Sequence, residues 1–458
     1  MVSIVQVNVN LQIAPSPSTL QKTGAMISQG GTTKPAGSLT LLTQMADLTA
    51  ILAGAKTLTT LAWAGGVVTA TATAPHGLTV GDTLMVTIAG AAPAGYNGTF
   101  LATVTTASAF TYPVALTPGT MTLAGTYTSE DVAELVAMGT TFFAQGNTVA
   151  VYVLELGLGG PADGVTALTT WINNNVGTVY SYLVPRTWDN AASFLAMLQS
   201  FEAPTAKTYF FVTTTLANYA SYTALMKCVV SLVEAPGITP TEFSIASLFY
   251  ASLHYAPSNT NKVAPFAFTY VFGVTPYPTV GNQALLTTLK TNGVNVIGTG
   301  AEGGISNTMI LWGMTEDSRD FTYWYSVDYV QIQSEIVLAN EVINGSNNAV
   351  NPLYYDQHGI NRLQARLAQL MTNVITFGLG TGSMTQVEMD GPTLSQAIDD
   401  GDFVNQAVIN AVPFVPYALA NPQDFKSGRY AGLSVIYIPA RGFTQIVVNI
   451  VVSDFISV

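Results

Sequence analysis

Gly298, Gly300 and Gly303 carry the G-x-G-x-x-G spacing that lets a backbone approach a dinucleotide's pyrophosphate, and they follow an apolar run ending at Ile297. That chemistry needs a helix N-terminus next, whose unpaired N–H groups receive the phosphate. Here Gly304, Ile305, Ser306 and Asn307 lead into another apolar β-type run, so the spacing describes a glycine-rich loop. Gly378, Gly380 and Gly382 lack the lysine of a phosphate loop. The three histidines, His76, His254 and His358, lie far apart and form no ligand spacing; they read as structural imidazoles. Asp399, Asp400 and Asp402 around Gly401 offer oxygens to calcium, but without the loop length and terminal glutamate of a dedicated site, and read as a solvated turn and helix cap. Glu316, Asp317 and Asp320 flank Arg319. Local ion pairing explains them better than acid–base work, which needs two carboxylates in contrasting environments. Cys228, on an expected helix through Leu225–Val233, reads as a small core residue. Phe321, Tyr323, Trp324 and Tyr325 would stack bases if cations were interleaved; none are, so a packed core or interface strand is expected. No nucleophile–base pair can be assembled. The expectation is a protein that is not an enzyme and uses no cofactor or metal.

Composition points the same way. Of 458 residues 49% are hydrophobic and only 9% charged, where about 25% charged is typical. A free surface this poor in charge is hard to keep soluble, which implies that much of it is covered. The net charge of −12 rests on 14 Lys and Arg with no basic cluster, so nucleic-acid binding is set aside. The single Cys rules out an internal disulfide framework and a cysteine zinc site. The N-terminus lacks the pattern of a secretory signal, and no apolar run reaches the ~20 residues of a membrane helix. A soluble, intracellularly made, assembly-prone protein is expected.

The elements support a scaffold. Val5, Val7, Val9, Leu11 and Ile13 alternate with Asn and Gln, a period-2 strand. Pro15 and Pro17 separate it from the rest of the chain. Such an arm is either an edge strand of its own domain or one given to a neighbour. Residues 39–58 have helical spacing. From Leu61 to Tyr127 the chain is Thr, Val, Ala and Gly with turns every 8–12 residues, a small all-β module closed by a helix start at Thr128–Asp131. From Thr148 strands and helices alternate: strands at Thr148–Leu156, Val179–Val184, Lys207–Thr213, Phe266–Val274, Val294–Ile297 and Asn307–Trp312, with helices including Tyr219–Val233 and Glu242–His254. This implies a largely parallel sheet with helices on its faces. Two long helices come next, through Val327–Ile343 and Gly359–Phe377, and a terminal hairpin of Arg429–Ile438 with Phe443–Val452. Its last strand, with Ile446, Val447, Val448, Ile450, Val451 and Val452, is apolar on both faces and must be covered on both. The fold class is a multidomain α+β or α/β chain: a mixed sheet flanked by helices, an inserted small all-β module, and extended terminal strands for sheet augmentation between subunits.

Trp312–Thr315, Arg319–Asp328 with the helix after it, Tyr354–Asn361 and Gly428–Gly442 resemble the myovirus-type contractile tail sheath proteins of bacteriophages. The likeness covers most of the chain outside the β module and is strongest from about residue 290 onward. The module, through Pro75–Asp82 and Tyr96–Phe100, is similar to small β decorations of phage tail proteins. The resemblance implies a linker arm at 1–20, a sheath body at 21–60 and 128–320, a sandwich- or barrel-like decoration at 61–127, and an inner domain at 321–458. It implies a six-fold helical homo-oligomer around an inner tail tube protein, with baseplate and neck or terminator proteins at its ends. It implies no nucleic acid and no direct membrane partner, assembly in the host cytoplasm, and a place in the virion tail. Contraction would drive the tube through the host envelope. Val5, Val7, Val9, Leu11 and Ile13 would pair with the Ile446–Val452 strand of adjacent copies, with Pro15, Pro17, Gly30 and Gly31 as hinges. Another virion structural protein (tail tube or capsid-type) and a host-binding tail protein are the alternatives.

Overall fold

The computed structural model describes residues 19–443, apart from 77, 79, 224, 225 and 301–305. The arm at Val5–Ile13, the prolines Pro15 and Pro17, and the Ile446–Val452 strand lie outside the described residues.

The first strand, β1 (Gly24–Ser28), is buried at all five positions. A strand without a wet face belongs in the interior of a sheet covered on both sides. Next come β2 (Leu39–Leu42) and a five-residue α1 (Met45–Thr49). The helix expected over 39–58 is therefore split. The Asp47 carboxylate accepts from Thr43 N, Thr43 Oγ1 and Gln44 N at 2.8, 2.7 and 3.2 Å, which starts a new helix at Met45 and leaves the leucines before it extended.

The β module closes as a six-stranded barrel: β3 (Lys56–Ala64), β4 (Val67–Ala72), β5 (Thr83–Ala89), β6 (Gly98–Thr106), β7 (Ala109–Pro113) and β8 (Thr126–Ser129), in the order β3-β4-β7-β6-β5-β8. Val68, Ala70, Val86 and Ile88 point inward among Tyr96, Phe110, Tyr112 and Tyr127, and threonines alternate with them outward. Closure removes the free edges that a Thr- and Val-rich sheet would otherwise present. Within Lys56–Ser129 the formally charged residues are Lys56 and Asp82.

The main sheet uses α2 (Glu130–Ala144), β9 (Val151–Glu155), α3 (Pro161–Asn174), β10 (Ser181–Leu183), α4 (Ala192–Gln199), β11 (Tyr209–Thr214), β12 (Val229–Val233) and α5 (Ile245–Leu253). Strand order is β12-β11-β10-β1-β9-β2, parallel except for β2. Ala25 and Ile27 face α3 and α4, together with Leu154, Phe210 and Val212. Met26, Val153, Leu183 and Phe211 face α2, α5 and the later long helices. Two expectations fail here. The Tyr219–Val233 helix is a single turn at Tyr219–Ser221 followed by β12, because Val-Val-Ser-Leu-Val is buried on both faces beside β11. Phe266–Val274 is no strand: Phe268 takes φ +62°, which ends regular extension, and one bridge remains, Tyr270 to Met309.

The last third begins with α6 (Gln283–Thr291), β13 (Ile297–Gly298) and β14 (Met309–Ile310). It continues with α7 (Phe321–Ser346), α8 (Gln357–Thr376), β15 (Ser383–Val387), α9 (Gly391–Asp399), β16 (Gln406–Ala411), α10 (Phe414–Ala420), α11 (Pro422–Ser427) and β17 (Leu433–Ile436). The aromatic run expected as a strand is the first turns of α7, whose start is fixed by Asp320 Oδ1 accepting from Thr322 N at 2.8 Å. Antiparallel pairing puts β17 against β16, a strand not expected from the sequence. α7 and α8 are clamped by Glu341, which accepts from Arg362 and from Arg366 Nε at 2.7 Å. Burial pushes the Glu341 carboxyl up, but the bonds to Arg366 and Arg362 outweigh it and hold it below the usual range.

Phe321 joins the long helix to the sheet. It is fully buried, with ring centroids 5.3, 5.9 and 5.2 Å from Tyr209, Phe211 and Phe266. Phe321→Ala should cost about 3–5 kcal/mol in urea unfolding, as large-to-small core changes do. Tyr354→Ala, at a side chain 67% exposed, should change it by less than about 0.5 kcal/mol.

Candidate functional site

Ligands of open parallel sheets sit at the carboxyl ends of the strands, where the strand order reverses. Here β9 and β10 flank β1 on opposite sides, so that crevice lies beyond Ser28 and Glu155. The chain fills it. Glu155 accepts from Ser28 Oγ (2.7 Å), Gly30 N (2.6 Å), Thr32 N (3.2 Å), Thr32 Oγ1 (2.7 Å) and Gly157 N (2.8 Å). Gln29 spans the rest, donating to Gly159 O and Gly160 O while its Oε1 accepts from Trp188 Nε1 at 2.6 Å. Gly30 takes φ +80°, and a Cβ there would collide with Leu158. Gly30 and Gly31, expected as hinge residues, form a tight turn tied to Glu155 and, through Gly31 N at 3.0 Å, to Ser28 Oγ. Five donors on one carboxylate leave it no lone pair to spare for a ligand.

The other buried acids are also internal fastenings. Asp328 Oδ2 accepts from the hydroxyls of Tyr180 and Tyr209, both at 2.8 Å, and so ties α7 to β11 and the start of β10. Burial pushes its carboxyl up against the pull of Lys227 and the two tyrosines. Lys227 Nζ in turn donates to the carbonyls of Pro204 and Ala206 at 2.9 and 2.6 Å and lies 4.7 Å from the Trp324 ring. Glu316, Asp317 and Asp320, adjacent in sequence, serve three places. Glu316 accepts from Ser231 Oγ under the sheet, and burial pushes it up to about 8. Asp317 pairs with Arg319 at 3.8 Å and accepts from Trp324 Nε1 at 2.9 Å, while Asp320 caps α7. Cys228 precedes β12 instead of riding a helix, and its buried thiol faces Leu198 O at 3.4 Å. His76 is buried with Nδ1 accepting from Leu78 N, His254 stacks on Tyr250 at the end of α5, and His358 lies in the first turn of α8. Asp399 and Asp400 end α9, with Gly401 at φ +81° after them. Among the described residues no three His, Cys, Asp or Glu converge on a metal position, and no helix is long and apolar enough to cross a membrane.

What stands out is the small sheet β15-β16-β17. β15 runs parallel to β16 and β17 antiparallel, which leaves an outer edge on each. Natural edges are blunted by Lys, Pro, bulges or covering elements. Ser-Met-Thr-Gln-Val and Leu-Ser-Val-Ile contain neither Lys nor Pro, and their pairing registers are unbroken. All four β17 residues are half-buried. The chain beyond β17 exposes Ile438 at 43%, bridges back to Gly380 through Pro439, and exposes Phe443 at 77%. By contrast the β12 edge of the main sheet is covered, with Val233 N donating to Asn295 O at 3.1 Å. Sequence reading missed β15 and β16. The signal was weak: five or six residues each, separated by a helix of nine.

No family model matches the chain, and no curated protein does. Among solved structures it is similar to the helical sheath of the anti-feeding prophage (AFP) in its contracted state, determined by cryo-electron microscopy. The identity is 12%, the match covers 98% of this chain and 99% of that one, and the TM-score is 0.48.

Glu316 sets a pH dependence. Its carboxyl titrates near 4.5 when unfolded and near 8 when buried, so the unfolded chain releases its proton first as pH rises. Its contribution to stability is complete below about pH 4.5 and is lost as pH rises through about 8. Glu316→Gln, which keeps the shape without the proton, should raise the melting temperature at pH 8 relative to the parent, with little difference at pH 5. Scanning calorimetry at the two pH values checks it.

Proposed function

We propose that this chain is the sheath subunit of a phage contractile tail, polymerising as a six-fold helical tube around an inner tail tube and contracting to drive that tube through the host envelope. The observation that carries the reading is the unblunted pair of edges on the β15-β16-β17 sheet, next to the exposed Ile438 and Phe443. An edge of this kind is a template for a strand from another molecule: backbone bonds give affinity and alternate side chains give register. The charge-poor composition supports it, since a surface covered by copies needs few charges. The resemblance of Arg319–Asp328 and Gly428–Gly442 to sheath proteins supports it too.

In this reading the arm bearing Val5, Val7, Val9, Leu11 and Ile13 pairs with the Ile446–Val452 strand and the adjoining sheet of neighbouring copies. Burying its five apolar side chains is worth roughly 7–15 kcal/mol at about 1.5–3 each. Ordering eleven residues costs about 11–22 kcal/mol of backbone entropy. One arm is near break-even, so added ladder bonds and repetition across a lattice make the tube stable. The barrel, closed and nearly uncharged, decorates the outside and takes no part in the strand mesh. Baseplate and neck proteins would contact the tube's ends, and no nucleotide is consumed.

Deleting residues 1–14 should leave circular dichroism and melting of the body unchanged while abolishing tubes in negative-stain micrographs. Tubes of normal diameter and striation from the truncated chain would refute the reading.

A further inference from the structure

Where α2 ends and the chain turns toward β9, the surface is hollowed to about 500 Å³, between the last turn of α5 and the chain around residues 261–272. Its lining bears Lys262 and His254 and no Asp or Glu. Lys262 is exposed and forms no ion pair among the described residues. Tyr270 and Phe272 stand in the hollow 57% and 60% exposed, on either side of the buried Val271. Gln145 fixes that stretch of chain: its Nε2 donates to Phe272 O at 2.6 Å, and its Oε1 accepts from Phe272 N at 2.9 Å. Aromatic rings held out to water on a fixed backbone are the usual anchors of an interface, because covering them gains apolar area at little cost in order.

A surface of the opposite character lies on the turn from α9 to β16. It exposes Ile398 at 42% and Val404 at 76%. From residue 388 to 402 the chain carries Glu388, Asp390, Asp399, Asp400 and Asp402 with no Lys or Arg. Two of these are engaged locally: Asp390 accepts from Thr393 N at 2.8 Å to cap α9, and Asp400 accepts from Gln396 Nε2 at 2.8 Å. None of the five has a cationic partner among the described residues. In a chain with 26 acids over 458 residues, such a concentration beside two exposed aliphatic side chains makes an acidic, apolar knob.

We infer that the α9–β16 turn of one copy seats in the hollow of another, with Ile398 and Val404 against Tyr270 and Phe272 and the Asp399–Asp402 carboxylates facing Lys262. Charge complementarity selects this occupant: the hollow holds a cation without an acid, and the turn holds acids without a cation. The aromatic contacts supply most of the affinity, while the ion pair fixes register and speeds encounter. The two surfaces differ, so the contact is heterologous and passes from copy to copy, building a ring or a filament. The inference rests on the assembly reading and adds to its exchanged strands a contact between subunit bodies.

Carbodiimide, which joins an amine to a carboxylate in contact with it, tests the contact on assemblies of the full-length chain made from mixed isotope-labelled and unlabelled copies. Peptide mass spectrometry should find Lys262 joined to Asp399, Asp400 or Asp402 across a labelled and an unlabelled copy. Lys262→Glu should raise the concentration at which assembly begins by about tenfold in sedimentation, and so should the pair Asp399→Lys with Asp400→Lys. Combining all three substitutions restores opposite charges and should recover most of the loss. Lysines suit the end of a helix, so the bodies should stay folded, and the crosslink on the parent chain does not depend on any variant. No link between copies, a link only within one copy, Lys262→Glu assembling at the parent's concentration, or no recovery in the combined variant would overturn the inference while leaving the sheath reading standing. A parent chain that never assembles would overturn both.

Discussion

Backbone N–H and C=O groups at the border of a strand must be bonded, and in this protein the small C-terminal sheet has an outer strand on each side with no strand paired to it among the described residues. Two other sheet borders are closed internally, while β2 ends the main sheet with an unpaired side of its own. The barrel closes on itself, and residues around Asn295 cover the far strand of the main sheet. Leaving β15 and β17 bare, without lysine, proline or bulge, is a liability for a solitary molecule and an asset for a subunit.

The interior shows the complementary economy. Charged residues are scarce, and many of them fasten one element to another. Glu155 closes the crevice beside β1, Asp328 ties α7 to the sheet, Glu341 clamps α7 to α8, and Arg186 with Glu234 joins the loops after β10 and β12. Such bonds add modest net stability but penalise any wrong arrangement heavily, because a misplaced partner leaves a buried group unsatisfied. In the proposed sheath, a body stiffened this way would transmit force as a unit while strand contacts to neighbouring copies persist. That division suits a machine whose subunits reorient without unfolding.

Much of the architecture was legible in the sequence where periodicity was long. The α/β alternation, the helix through Gly359–Phe377 and the turn-rich module are readable because each repeats its pattern over many residues. Reading failed where pattern was short or local bonds overrode it. The helical spacing of residues 39–58 yielded to the Asp47 cap, the Phe321–Tyr325 run took a helix from Asp320, and β12 was hidden because a fully buried apolar run has no period of its own. The edges of β15 and β17 were illegible for a deeper reason: what makes them notable is a partner they lack, and one chain's letters do not record which strands stay unpaired.

Amide hydrogen exchange compares the lone chain with the assembly at the strands in question. In the isolated full-length chain, amides of Ser383–Val387 and Leu433–Ile436 that do not bond to β16 should exchange quickly; after assembly into tubes they should slow by orders of magnitude, as core-strand amides do. Equal exchange rates before and after assembly would contradict the account, since the edges would then not be where one copy holds another.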